Sequence, residues 1–279
     1  MLPVLRSVPA LRGQVARWRR ESLRIAFVPT MGALHDGHLS LVARGLREAD
    51  RVLVSIFVNP TQFGPNEDFA AYPRQEDADL AKLEGAGAHA VYAPSVEEMY
   101  PPGAATTVTV AGVTDGMDGV FRPGHFAGVA TVVAKLLNQA QPDVALFGEK
   151  DYQQLQVIKR LTRDLDIPAA ILGVATLREA DGLAMSSRNA YLAPAERAVA
   201  PVLHRVMQEI AGHLRRGSEA MPLLKRGIEE IIEAGFASVD YLELRAADDL
   251  APLDRLDRPA RLLVAARLGR ARLIDNIPV

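Results

Sequence analysis

Two histidines three residues apart, His35 and His38, stand in the string Pro29-Thr30-Met31-Gly32-Ala33-Leu34-His35-Asp36-Gly37-His38. An apolar run, Ile25-Ala26-Phe27-Val28, precedes the string, and a helical pattern beginning at Leu39 follows it. A strand, a glycine-containing turn and a helix in that order form an anion site, because the first N–H groups of the helix are unpaired and carry partial positive charge. Gly32 and Gly37 permit positive φ and let a ligand approach the backbone closely. If the helix starts near the histidines, both imidazoles project to one side. Such a pair suits the charge that develops when a nucleotide α-phosphate is attacked and pyrophosphate leaves. The competing reading is two solvated loop histidines. Zinc is a poor match, since the chain has no cysteine and no third ligand at a suitable local spacing.

Other residues offer compatible chemistry. Lys150, in Gly148-Glu149-Lys150-Asp151, sits at a strand-to-helix junction, where a lysine opposes the helix dipole but makes a natural phosphate partner. Asp151 either caps the next helix or accepts from a ribose hydroxyl. Ser186-Ser187-Arg188 supplies two hydroxyls, backbone N–H groups and a guanidinium, which make a triphosphate clamp or a plain turn. Gln62 and Gln154 are neutral amides able to hold a carboxylate or hydroxyl; surface solvation is the alternative for both. Tyr72, Arg122 and His125 lie in or beside long loops and could close over a substrate, Arg122 as a carboxylate partner. His89, His204 and His213 read as structural.

The elements that must position these groups follow from apolar spacing. Leu11, Val15 and Trp18 mark a short leading helix, and Leu39, Val42, Leu46 and Ala49 a second. Residues 51–58 are nearly all apolar, as in a parallel strand covered on both faces, and Pro60 in Asn59-Pro60-Thr61-Gln62 stops it. Strands are also expected at 90–93, 106–110, 143–147 and 170–174, and helices at 77–83, 126–140 and 152–163. This alternation predicts an α/β fold with a doubly wound parallel sheet, whose ligands bind outside the carboxyl ends of the strands. Four polar loops fall at such ends: those of His35 and His38, of Asn59 and Gln62, of Gly148–Asp151 and of Met185–Arg188. After residue 190, helices at 194–215 and 219–234 precede strands at 239–244, 261–266 and 272–277. The expected organisation is therefore a catalytic domain, 1–190, and a smaller α+β domain, 191–279.

The chain has 279 residues, 49% hydrophobic, with a formal net charge of -2. That balance gives no basis for a nucleic-acid partner or a membrane surface. No apolar run has the length of a membrane span, no signal peptide is legible, and the lack of cysteine fits a cytoplasmic protein.

Assembled, the motifs resemble the pantoate–β-alanine ligase family, nucleotidylyltransferase relatives that share the His-x-Gly-His loop with class I aminoacyl-tRNA synthetases. The resemblance rests on 27–38, on Ser55-Ile56-Phe57-Val58-Asn59-Pro60-Thr61-Gln62-Phe63-Gly64 and on Phe121-Arg122-Pro123-Gly124-His125-Phe126. It extends to Gly148-Glu149-Lys150-Asp151-Tyr152-Gln153-Gln154 and to Arg178-Glu179-Ala180-Asp181-Gly182-Leu183-Ala184-Met185-Ser186-Ser187-Arg188, all in family order. It implies a Rossmann-like catalytic domain with a C-terminal lid, and a reaction in which pantoate is adenylated by ATP and then captured by β-alanine. By motif, His35 and His38 contact the phosphates, with His38 as proton donor, and Lys150, Ser186, Ser187 and Arg188 neutralise the triphosphate. Met31, Gly32, Ala33, Leu34, Asp36, Gly37, Gly148, Glu149, Asp151, Met185 and, through its backbone, Leu177 line the nucleotide site. Gln62 and Gln154 hold pantoate, with Asn59, Tyr72, Arg122 and His125 as further pocket members. Magnesium comes with ATP; the acidic stretch Glu76-Asp77-Ala78-Asp79 is assigned no metal. A homodimer is expected by resemblance alone.

Three rival readings differ in what they require. An adenylyltransferase acting on a phosphate acceptor needs extra cations where this chain has Gln62 and Gln154. A tRNA synthetase needs a basic stripe or an anticodon-binding extension. A nucleotide sensor needs neither both histidines nor Lys150.

Overall fold

The apolar run after Arg24 is a strand, Ile25–Thr30, buried along nearly its whole length. A computed structural model of the chain describes residues 2–65 and 67–279. Backbone contacts group it into two units: the chain up to Gly148 with Val157–Val174, and Glu149–Gln156 with Ala175–Val279. The expected division after residue 190 thus falls inside the second unit. Residues 175–190 group with the C-terminal strands because Arg178 pairs with Asp275, at 2.6 and 2.8 Å.

In the first unit the strands are β1 (Val4–Leu5), β2 (Ile25–Thr30), β3 (Arg51–Ile56), β4 (Ala90–Tyr92), β5 (Val144–Gly148) and β6 (Ala170–Val174). They form one parallel sheet in the order β1-β4-β3-β2-β5-β6. The order reverses beside β2, so the crevice at the carboxyl ends of β2 and β5 is the switch point where such sheets take ligands. The helices are α1 (Val8–Arg20), α2 (Asp36–Glu48), α3 (Glu76–Gly85), α4 (Val96–Met99), α5 (Asp118–Phe121), α6 (His125–Ala140) and α7 (Tyr152–Asp164), the last entering this unit at Val157. Leu11, Val15 and Trp18 form the buried face of α1 as their spacing predicts. One core layer packs Leu41 and Val42 of α2 on Ala26, Val28, Val52, Val54, Val144 and Leu146 of the sheet. Gly45 allows that approach: a Cβ there would lie 3.2 Å from Val52 and 3.3 Å from Ala26.

Two local expectations are corrected. Residues 106–110 alternate like a strand but pair with none; the Val108 amide donates instead to the Thr131 hydroxyl on α6, at 2.9 Å. The helix expected over 194–215 is two, α8 (Pro194–Val199) and α9 (Val202–Leu214). The break falls at Pro201, which has no N–H to continue the ladder.

The second unit adds α10 (Ala220–Glu233) and an antiparallel sheet of β7 (Ser238–Ala246), β8 (Ala260–Leu268) and β9 (Ala271–Pro278), in that order. Leu203, Val206, Met207 and Ile210 of α9 share a core with Ile231 of α10 and with Leu262, Val264, Leu273 and Ile277 of the sheet. Among the described residues no helix is long and apolar enough to cross a membrane.

Candidate active site

The histidine loop begins where β2 ends. Thr30 donates its hydroxyl to the Ser55 carbonyl of β3 (2.7 Å) and accepts from the Gly32 amide (3.2 Å). Gly32 and Ala33 then take consecutive left-handed conformations, φ +81° and +51°. This reversal points the amides of Ala33 and Leu34 at Asp79 of α3, whose two carboxylate oxygens accept one each at 2.8 Å. Lys82, one turn on, donates to the Leu34 carbonyl at 2.6 Å. The loop is therefore clamped from one helix through both amides and a carbonyl.

Helix α2 starts at Asp36, three residues earlier than the apolar stripe indicated, because His35 is its N-cap. The His35 Nδ1 accepts from the Gly37 amide (3.2 Å), and the His38 Nδ1 accepts from the His35 amide (3.3 Å). This is a capping box built from two imidazoles. An accepting Nδ1 requires the proton of a neutral ring to sit on Nε2. Both rings thus carry an Nε2–H donor at the N-terminus of a 13-residue helix, with centroids 4.2 Å apart and planes tilted by 48°. The arrangement can stabilise an oxyanion and pass it a proton.

Beside it, the loop after β3 holds Gln62. Asn59, 1% exposed, donates to the Gln62 Oε1 and to the Gly128 carbonyl, both at 3.2 Å. Its own Oδ1 accepts from Thr61 and from the Tyr100 hydroxyl (2.9 Å). With Gln62 Oε1 held, its Nε2 is directed at the Met31 sulfur, 3.0 Å away in the histidine loop. His125 supports the same turn from α6: its Nδ1 donates to the Gln62 carbonyl (2.8 Å), and its Nε2 accepts from Arg122 (2.9 Å). Arg122 in turn makes a two-pronged pair with Glu67, at 2.7 and 2.6 Å. Asn59, Arg122 and His125 accordingly engage protein groups that orient Gln62. Tyr72 is buried with its ring edge against Phe63.

Burial, reinforced by the Arg122 charge, pushes the His125 pKa down to about 4. The unfolded chain, with an ordinary histidine pKa near ~6.5, takes up that proton first as pH falls. The contribution to stability is complete above ~6.5 and erodes as pH falls toward about 4. Glu67, whose pKa burial raises but pairing with Arg122 lowers overall, adds a slope of the same sign. Denaturant unfolding of the chain is expected to show stability rising across this window, and His125→Gln is expected to flatten the rise by up to ~3 kcal/mol. Equal slopes for the two proteins would assign the rise to other groups.

The second unit presents Lys150, Asp151 and Ser186–Arg188. Glu149–Asp151 form a 3-10 turn that runs into α7, where Gln154 is half-buried in the first turn. Glu149 faces Arg261 of β8 at 2.7 Å, and Arg261 also lies 4.2 Å over the Tyr152 ring. Arg178 and Ala184 bridge a hairpin in which the Met185 amide donates to the Leu177 carbonyl (3.0 Å). Ser186 then caps a second 3-10 turn, its Oγ accepting from the Arg188 amide at 3.3 Å. Asn189 fixes that turn to Glu179 and to the Ala184 carbonyl, both at 3.1 Å. Lys150, Ser186, Asn189, His204 and Asp275 line a small pocket floored by Leu183 and Leu203. Among the described residues no group of three or more His, Asp or Glu is gathered to hold a metal.

Asp79 was not among the residues expected in the site. Its signal was an acid four residues before Leu83 on the buried stripe of α3, a place that calls for an internal partner.

The sequence profile of the Pantoate-beta-alanine ligase family matches residues 3–278. A pantothenate synthetase from Paramagnetospirillum magneticum is 65% identical over 99% of this chain and 97% of the relative. The crystal structure of pantothenate synthetase from Thermus thermophilus superposes with a TM-score of 0.94 at 47% identity, covering 99% of both chains. That of the pantoate-beta-alanine ligase from Francisella tularensis, complexed with beta-gamma ATP and beta-alanine, gives 0.84 at 32% identity, over 99% of this chain and 97% of that one.

Proposed function

From the premise that the chain belongs to the pantoate–β-alanine ligase family, we propose that it condenses pantoate with β-alanine in two steps driven by ATP. In the first, a pantoate carboxylate oxygen attacks the α-phosphorus of ATP, the bond to the β-phosphate breaks, and pyrophosphate leaves. In the second, the β-alanine amine attacks the acyl carbon of the pantoyl adenylate, loses a proton, and expels AMP. Neither step needs a covalent enzyme intermediate; placement of the reactants and stabilisation of developing charge suffice.

The observation that carries this reading is the imidazole capping box. Because the backbone occupies both Nδ1 atoms, His35 and His38 keep the protonated Nε2 tautomer a departing phosphate requires. His38 gives the leaving oxygen a proton or a hydrogen bond. Lys150, Ser186, Ser187 and Arg188 neutralise the triphosphate, and Met31, Gly37, Gly148, Asp151, Leu177 and Met185 hold the nucleotide. Gln62, with its amide turned by Asn59, and Gln154 hold pantoate through neutral hydrogen bonds. The substrate is the magnesium complex of ATP, and the working enzyme is a cytoplasmic homodimer.

The test is pyrophosphate–ATP exchange with Mg-ATP and pantoate, β-alanine omitted. Pantoate-dependent exchange is expected, and β-alanine should then release AMP rather than ADP. Exchange only with a phosphorylated acceptor would move the chain to the adenylyltransferases. ATP binding without exchange would leave a nucleotide sensor.

A further inference from the structure

A 3-10 turn of three residues leaves carbonyls that need donors from elsewhere. Glu149–Asp151 finds them on the last strand of the chain. Asn276 of β9, 2% exposed, donates both hydrogens of its amide: one to the Glu149 carbonyl (2.8 Å), one to the Lys150 carbonyl (2.9 Å). These carbonyls belong to the two peptide groups that flank the Lys150 Cα. Holding both limits φ and ψ of Lys150 together, and so sets the direction in which its side chain leaves the backbone. The amide is itself held, its Oδ1 accepting from Arg261 at 3.0 Å, which excludes the flipped orientation.

The neighbouring residue repeats the device on the other side of the strand. Asp275, 5% exposed, accepts from both terminal nitrogens of Arg178, which also donates to the Gly182 carbonyl (3.0 Å). Arg178 opens the hairpin that leads into Ser186–Arg188. Adjacent residues of β9 therefore support the two segments that carry Lys150 and Arg188.

We propose that Asn276 is a positioning residue for Lys150, aiming its ammonium at the phosphates of ATP. The proposal rests on the reading of Lys150 as a phosphate ligand. Its signature is selective for phosphate number, whereas a general loosening of the fold weakens every nucleotide alike.

The experiment measures ATP and AMP affinity by calorimetry, in magnesium, for the full-length chain and for Lys150→Ala, Asn276→Ala and the double variant. Loss of one charge-assisted contact corresponds to about a tenfold change. Lys150→Ala and Asn276→Ala are each expected to weaken ATP by about that factor and AMP by less than about twofold. The double variant is expected to match Lys150→Ala, because a positioning residue has nothing left to position. Should Asn276→Ala fail to fold, Asn276→Ser retains one donor and is expected to show a smaller loss with the same selectivity. Equal weakening of ATP and AMP, or a full additional loss in the Lys150→Ala background, would overturn the proposal. If Lys150→Ala leaves ATP binding unchanged, the phosphate role of Lys150 falls and the proposal with it. If Lys150→Ala loses ATP while Asn276→Ala does not, the proposal alone falls.

Discussion

Replacing His38 with alanine is expected to lower pantoate-dependent pyrophosphate exchange by about 10²- to 10³-fold, the range seen when one donor to a developing oxyanion is removed. The pantoate KM should change little, because in the proposed reaction the contact strengthens only as pyrophosphate departs. Folding should survive. His38 is half-buried, on a loop-to-helix turn, and its Nδ1 accepts from the His35 amide at 3.3 Å. Loss of such a cap costs about 1 kcal/mol, or roughly 2–4 °C in a protein of this size. His38→Gln, which keeps an N–H near the position of Nε2, should recover part of the rate. Unchanged exchange in His38→Ala would remove the imidazole pair from the mechanism, and an unfolded variant would show the capping box to be its main role.

The second large effect is expected from Gly128→Ala on α6. A Cβ at Gly128 would lie 2.3 Å from the Thr61 carbonyl oxygen, 2.6 Å from its carbon and 2.8 Å from the Gln62 Cα. All three are backbone atoms, so no side chain can rotate away. The helix and the turn must separate, stretching the Asn59 bond to the Gly128 carbonyl and the His125 bond to the Gln62 carbonyl. Overpacking of this kind costs about 1–3 kcal/mol or more, a fall in melting temperature of roughly 3–10 °C. Because Gln62, the proposed pantoate ligand, moves with the turn, the KM for pantoate is expected to rise by about tenfold or more, with a smaller change for ATP. Gly13→Ala on α1 is the control, since a Cβ there meets nothing within 4 Å. An unaltered pantoate KM in Gly128→Ala would show that Gln62 is held independently of α6.

Features set by neighbours in the chain were legible in the sequence. Apolar runs marked β2, β3 and β5, because a parallel strand buried on both faces has no polar positions to spare; β6, at the sheet edge, is only partly buried. Apolar residues at helical spacing marked the buried face of α1. The histidine loop was visible because its strand, turn and helix are consecutive, and the family motifs lie in the same short stretches. Apolar spacing places the start of α2 too late, since its first turn is polar and is defined by an imidazole cap that such spacing does not register.

The sequence by itself determined which chemical groups this protein has and on which loops they sit; the tertiary structure decided how those groups are held. Asp79 clamps amides 45 and 46 residues away, and Asn276 reaches carbonyls 126 and 127 residues away. Arg122, read as a group for substrate, is engaged by Glu67, 55 residues distant. No periodicity within a helix or strand carries such pairings. They arise because a polar group enclosed by folding must find its partner among whatever residues the topology brings beside it.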